Sequence, residues 1–375
     1  MNPLLDFSGL PRFDAIQPEH VTPAVTQLLT ENREAIARLQ DDSAAPTWAG
    51  FAAPLIDAGE RLSRAWNVVG HLHSVNDVPE WREAYNANLP EVSRFYAEVG
   101  QNLKLFHKYR AIKESAGFAS LSPAQQRVID NEVRDFRLSG AELPDAQKPR
   151  FQEIQQELSA LAAKFSENLL DATNAFAAYV ENEVELAGLP DDVKAAARAA
   201  AEREGKSGWK FTLHAPSYLP VLQYADNRTL REKIYRAHAT RASELGDPKL
   251  DNTGNINRIL ALRAEMAQML GYANYAQVSL VPKMAESPAQ VLAFLREMGV
   301  KARPFAEKDA AARAEFAAQE LGLPQLEMWD VLYASEKLRQ KRYAFSEQEV
   351  RQYLPEPQVL EGLFGVIQTL FGVKI

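Results

Sequence analysis

Ser122-Pro123-Ala124-Gln125, and again Ser287-Pro288-Ala289-Gln290, are the stretches that decide the fold class. Each offers a hydroxyl at the N-cap, a proline at the first helical position and a glutamine at the third. The hydroxyl accepts from the N3 amide and the glutamine reaches back to the N-cap amide, while the proline occupies a site whose donor has no helical partner anyway. Ser346-Glu347-Gln348-Glu349 offers a further start. After Gln290, residues Val291, Leu292, Leu295 and Met298 follow at helical spacing and predict one buried stripe. Outward from these starts the pattern is helical nearly throughout. Segments near 19–40, 47–75, 80–115, 122–138, 146–179 and 191–204 are rich in Ala, Leu, Glu and Arg and are broken by Pro or Gly. The expected fold is mainly α, with a few short strands.

One segment departs from this pattern. Trp209, Phe211 and Leu213 alternate with Lys210 and Thr212, a period of two that predicts a short strand with one buried face. Pro216 is expected to end it, and Asp226-Asn227 to cap the next helix. The charged, Gly-containing stretch Glu202-Arg203-Glu204-Gly205-Lys206-Ser207-Gly208 precedes the strand and marks the expected boundary between regions 1–205 and 206–375. No repeat of 34 or 40 residues is evident, which argues against a helical solenoid.

With 375 residues, two domains or lobes are the prior. A hydrophobic fraction of 46% and a charged fraction of 25% suit a globular chain with a sizeable core. The formal charge of −8 weighs against nucleic acid or an anionic membrane as a partner. The N-terminus lacks the basic and long apolar regions of a signal peptide, and no stretch approaches 18 uninterrupted apolar residues. The cytoplasm is the expected location. The absence of cysteine excludes disulfides, thiolate nucleophiles and Cys-type zinc sites together.

Few residues carry recognisable chemistry. Among six histidines, His71 and His73 lie two apart, on opposed faces of a helix. His73 and Asp77, four apart, could share an ion, but without a third ligand they read as a surface or capping pair. There is no H-E-x-x-H and no G-x-S-x-G. Gly205-Lys206-Ser207 mimics the end of a phosphate loop, yet the strand follows where it should precede, and a helix terminus is the better reading. Lys337, Arg339, Lys341 and Arg342 read as a solvated face, and the five tryptophans as core anchors. Tyr218, Tyr224 and Tyr333 read as core residues, since a buried tyrosine needs only one hydrogen-bond partner. No catalytic, cofactor-binding or metal residue is expected in this chain.

Several runs taken in order resemble one family. They are Pro216-Ser217-Tyr218-Leu219-Pro220-Val221-Leu222-Gln223-Tyr224-Ala225-Asp226-Asn227-Arg228, Leu230 to Ala237, and Thr240-Arg241-Ala242-Ser243. Asn255-Ile256 through Leu262-Arg263, Leu270-Gly271-Tyr272-Ala273-Asn274-Tyr275-Ala276, Lys283 to Pro288, and Trp329-Asp330, Tyr333 and Ser335-Glu336-Lys337 follow. This series resembles the M3 family of zinc oligopeptidases, the thimet oligopeptidase class. Asn2-Pro3-Leu4-Leu5, Pro18-Glu19-His20-Val21, Asp135-Phe136-Arg137-Leu138-Ser139-Gly140 and Glu185-Leu186-Ala187-Gly188-Leu189-Pro190 point to its bacterial, oligopeptidase A-type branch.

The resemblance implies a multi-helical chain contributing to a two-lobed, channel-type metallopeptidase that hydrolyses short peptides. In that family, H-E-x-x-H and a later glutamate bind Zn²⁺. None of those positions exists in this sequence, so none is carried over. The resemblance thus implies an N-terminal helical region, 1–205, and the start of the peptidase domain, 206–375, lacking the zinc-binding motif. On this basis the chain alone binds no catalytic zinc and cleaves nothing. A missing C-terminal region is its expected partner, with the Trp209–Leu213 strand and Val373-Lys374-Ile375 as places where it could pair; the apolar run Phe371-Gly372-Val373-Lys374-Ile375 reads as the beginning of an element. The alternatives are a non-catalytic helical peptide-binding protein and an interaction module that pairs with a separate catalytic half.

Overall fold

The computed structural model of the chain describes residues 2–344 and 347–375. The first helices are α1 (Val21–Asp41), α2 (Ala53–Val75), α3 (Pro79–Gly100), α4 (Leu103–Glu114), α5 (Pro123–Leu138) and α6 (Lys148–Ala175). Strand β1 (Ala178–Val180), helix α7 (Asp191–Glu202), strand β2 (Trp209–Phe211), α8 (Ala215–Tyr224) and α9 (Arg228–Ala239) follow. Then come α10 (Thr253–Met269), α11 (Tyr275–Leu280), α12 (Pro288–Glu320), α13 (Val331–Tyr343), α14 (Glu347–Arg351) and α15 (Glu356–Phe371). The chain divides into two compact units. The first is Met1–Phe165 with Gly254–Ala293, and the second is Ser166–Thr253 with Phe294–Ile375.

In the first unit, α1, α2 and α3 pack because each presents apolar side chains at helical spacing. Val21, Val25 and Leu28 meet Leu62 and Val69, and Trp81 and Phe95 close the cluster. A wholly buried leucine such as Leu28 contributes about 2 kcal/mol of apolar burial. Buried Asn32 keeps its amide satisfied by donating to the carbonyls of Leu28 and Ala58. A second cluster joins Phe106 and Tyr109 of α4 to Ile129, Val133 and Phe136 of α5. The start of α5 is the capping box read from the sequence. Gln125 N donates to Ser122 Oγ at 3.3 Å, and Ser122 N to Gln125 Oε1 at 2.9 Å. At α12 the box closes one residue earlier, with Glu286 N donating to Gln290 Oε1. Also in this unit, Arg150 of α6 forks onto Glu265 of α10, and Arg258 of α10 forks back onto Glu157 of α6.

In the second unit, β1 and β2 pair antiparallel, with Tyr179 opposite Lys210. The core gathers Val180, Trp209 and Phe211 from the strands, Ala197 from α7, Val221 and Leu222 from α8, and Ile234 from α9. Gly208 turns into β2 at φ +80°, where an added Cβ would lie 2.3 Å from the Val180 carbonyl. Only glycine allows the two strands to approach there.

The structure corrects several expectations. The helix read to 179 ends at Ala175, and Ala178–Val180 is a strand, too short for its alternation to register as a period. That strand pairs with β2, so one edge of β2 is already occupied within this chain. Pro216 does not end β2, which stops at Phe211, short of Leu213. The proline lies in the first turn of α8, where its missing donor costs nothing. The stripe on α12 is not buried: Leu292, Leu295 and Met298 are 48%, 56% and 42% exposed. Periodicity reports an apolar face but not whether anything covers it. Phe371-Gly372 does not begin an element. Phe371 ends α15, and Gly372, at φ +66°, is its left-handed cap. Ser346, read as an N-cap, lies outside the described residues.

Candidate functional site

The motifs that carried the resemblance meet one another in the fold. In the first unit, Asn2 Oδ1 accepts from the Leu4 amide at 3.0 Å, and its Nδ2 donates to the His20 carbonyl at 2.7 Å. Asn2-Pro3-Leu4-Leu5 is thereby pinned to Pro18-Glu19-His20-Val21.

The denser convergence is in the second unit. The Asp226 amide donates to the Ala187 carbonyl at 2.8 Å. Gly188, at φ +86°, sits so close that an added Cβ would fall 2.3 Å from the Tyr224 carbonyl. The Asp226 carboxylate accepts from the Tyr333 hydroxyl at 2.8 Å and pairs with Lys337 at 3.2 Å. Behind it lies Asp330, whose side chain has no solvent exposure. Its Oδ1 accepts from Arg231 Nη2 at 2.8 Å, and its Oδ2 from Arg228 Nη2 at 2.7 Å and the Glu327 amide at 3.0 Å. Arg231 is itself buried; it donates to the carbonyls of Ala225 and Asp226 and lies 4.0 Å over the Tyr333 ring. Buried Glu336 accepts from Gln340, Gln223 and Arg339.

The electrostatics are those of a sealed framework. Burial alone would raise the Asp330 carboxyl, but hydrogen bonds from Arg228, Arg231 and the Glu327 amide outweigh it and hold the group below its usual range. Tyr333 is pushed up to about 12, first by burial and then by its bond to the Asp226 carboxylate. It is therefore a fixed donor at neutral pH, not a nucleophile. Each charge has a partner, and the arrangement suits positioning α8, α9 and α13 rather than chemistry on a substrate.

The other sequence candidates are placed separately. His73 stacks on Tyr85, which stacks on Trp66, and Asp77 pairs with Arg82 as well as lying 3.6 Å from His73. No group of three or more His, Cys, Asp or Glu among the described residues is placed to hold a metal ion. Gly205, at φ +69°, follows the end of α7, and Lys206 Nζ donates to the Tyr179 hydroxyl at 2.7 Å. The basic cluster is less solvated than it reads: Lys337, Arg339 and Lys341 pair with Asp226, Glu336 and Glu320. Tyr224 and Tyr333 are core residues, and Tyr218 stacks on His238 at 4.0 Å. Trp81 and Trp209 are buried in different clusters, so the tryptophans form no box. Sequence reasoning missed the Arg228–Arg231–Asp330 network, because its partners lie about a hundred positions apart.

Comparison with known proteins fits this joining of motifs. Residues 221–375 match peptidase family M3, and residues 25–148 match the N-terminal domain of neurolysin and thimet oligopeptidase. Each match covers less than half of the chain, and together they liken it to peptidase family M3. The chain is 44% identical to oligopeptidase A of Haemophilus influenzae over 375 residues, 100% of this chain and 55% of that protein. It is also 44% identical to oligopeptidase A of Salmonella typhimurium over 374 residues, with 99% and 55% covered. The dipeptidyl carboxypeptidase of the same organism is 30% identical over 381 residues, with 99% and 55% covered. The chain thus spans about half the length of the curated relatives it matches. No helix among the described residues is long and apolar enough to cross a membrane.

Proposed function

We propose that this chain is the N-terminal portion of an oligopeptidase A-like zinc metalloendopeptidase that hydrolyses short peptides in the cytoplasm. The observation that carries this reading is the 44% identity that runs along the entire chain yet covers only 55% of the relative. Residues 1–205 serve as the N-terminal helical region and 206–375 as the start of the peptidase domain. The side chains present do not fit a catalytic zinc ion: the His73–Asp77 contact lacks a third ligand and is engaged by Arg82 and Tyr85. We therefore assign the metal and the catalytic residues to a C-terminal region that this chain lacks. The apolar faces of α12 and α15 support the assignment. Phe294, Leu295 and Phe305, and Leu370 and Phe371, are each more than half exposed, as surfaces awaiting a cover would be.

Metal content and cleavage of a quenched fluorescent peptide, measured on one purified sample with and without added zinc, test the proposal. The chain alone should hold no stoichiometric zinc and turn over nothing. Adding a C-terminal segment that contains H-E-x-x-H should restore chelator-sensitive cleavage. Stoichiometric zinc with chelator-sensitive turnover in this chain alone refutes the proposal.

A further inference from the structure

The second unit holds a cavity of about 440 Å³ bounded by α7, β2 and the start of α8. Val193, Ala197 and Ala200 of α7 and Phe211 of β2 give it apolar walls, and Arg203, Glu204, Lys210, Thr212, His214 and Ser217 supply polar groups. A volume of this order, apolar walls and a few polar groups are the ordinary features of a small-molecule pocket.

The state of each polar group restricts what fits. Glu204 is occupied: Lys210 Nζ and the Tyr179 hydroxyl both donate to it, and those bonds bring its carboxyl down to about 2. Lys210 and Glu204 therefore cancel. Lys206 lies over the Tyr179 ring and donates to its hydroxyl. Arg203 differs, because its Nε reaches only the Ala199 carbonyl of its own helix, at 3.3 Å. Among the described residues its terminal nitrogens meet no carboxylate. Ser217 Oγ accepts from the Thr212 amide at 2.9 Å, which leaves the hydroxyl proton free to donate. Thr212 and the exposed imidazole of His214 complete the polar lining, so among these groups Arg203, at the solvent-exposed mouth, is the guanidinium without a carboxylate partner, and the Ser217 hydroxyl has a proton to donate beside the apolar walls.

We propose that this cavity binds a carboxylate carried on a compact, branched apolar group. The apolar body lies against Ala197, Ala200 and Phe211, and the carboxylate meets Arg203 and the Ser217 hydroxyl. A guanidinium takes a carboxylate by paired hydrogen bonds, which a neutral amide cannot reproduce. The C-terminus of a peptide and a free branched-chain acid share this chemistry. The proposal does not depend on peptidase activity, and its test reads binding to the 375-residue chain itself.

Titration calorimetry and ligand-observed NMR with N-acetyl-L-leucine, N-acetyl-L-leucinamide and 4-methylpentanoate provide the test. At least one acid should bind saturably, and N-acetyl-L-leucinamide at least about tenfold more weakly than that acid. Arg203→Gln should weaken the acid by about tenfold or more and leave the amide unchanged. Ala200→Leu, which fills the cavity from a helical position, should abolish binding while circular dichroism and the thermal transition hold. Binding of N-acetyl-L-leucine alone identifies a peptide terminus, and equal binding of 4-methylpentanoate a free acid. No saturable binding of either acid, equal binding of acid and amide, or acid binding unchanged in Arg203→Gln overturns the proposal.

Discussion

Asp330→Asn removes a single charge with almost no change in shape. In the wild-type chain the carboxylate answers two guanidiniums, one of them wholly buried with Arg231. The asparagine keeps one acceptor but no charge, so Arg231 is left as an uncompensated buried cation. Breaking a buried pair in this way costs about 3–5 kcal/mol. Arg228 contributes less, since it is 44% exposed and water can replace its partner. In a chain of two units a single global unfolding free energy is poorly defined, so a local readout is preferable. Amide hydrogen exchange in α9 and α13 supplies it. A loss of about 3 kcal/mol corresponds to roughly a hundredfold faster exchange, since about 1.4 kcal/mol is tenfold. The double variant Arg231→Met with Asp330→Leu should recover most of the protection, because apolar replacement of both partners removes the stranded charge. The wild-type carboxyl titrates lower folded than unfolded. Its contribution is therefore complete above the unfolded value of about 3.9 and is lost as pH falls through the folded value. Less than tenfold faster exchange in Asp330→Asn would refute this reasoning.

Gly188→Ala should destabilise the second unit by at least about 2 kcal/mol, as a positive φ and a 2.3 Å approach to the Tyr224 carbonyl act together. Gly205→Ala, also at positive φ but with open space around it, should cost less; denaturation of the two variants compares them. At the α6–α10 clasp, Arg150→Glu or Glu265→Arg alone should weaken the first unit, and the double reversal should restore it. A double-mutant cycle should give about 0.5–1 kcal/mol for these part-exposed groups. His238 is held below its usual pKa, first by burial and then by the charge of Arg241. The neutral ring is the native form, so stability is full above the unfolded value of about 6.5 and declines as pH falls through it toward the folded value. Thermal transitions between pH 8 and pH 5 should show this decline, and His238→Gln should lessen it.

Much of the helical frame was legible because its signals are local. Ser122 and Gln125 are three residues apart and make the bonds their types dictate. Asn227 likewise caps α9 through the Leu230 amide. The rest depends on encounters that a linear chain does not display. Tyr179 reads as a helix end until Lys210 is known to lie opposite it. Asp330 looks like one acidic residue among many until Arg228 and Arg231 arrive from about a hundred residues upstream. The α6–α10 clasp did leave a trace: Arg150 and Glu157, and Arg258 and Glu265, share a spacing of two helical turns. Reciprocal pairing of the two repeats identifies them as antiparallel neighbours. The candidate site was legible chiefly as motif order. That order pointed to the family it resembles but not to Gly188, Asp226 and Tyr333 as joints.

The division of the chain into units also sets a timetable for its synthesis. The first unit needs Gly254–Ala293 as well as Met1–Phe165, and the two are separated by much of the second unit. At about 5–20 residues per second, the earlier part waits on the order of ten seconds for its remaining piece. Leu262 and Ala267, both buried in the finished chain, arrive only then. The amino-terminal helices therefore emerge from the ribosome with part of their final packing still unmade. A chaperone that holds nascent chains would find its longest opportunity in that interval.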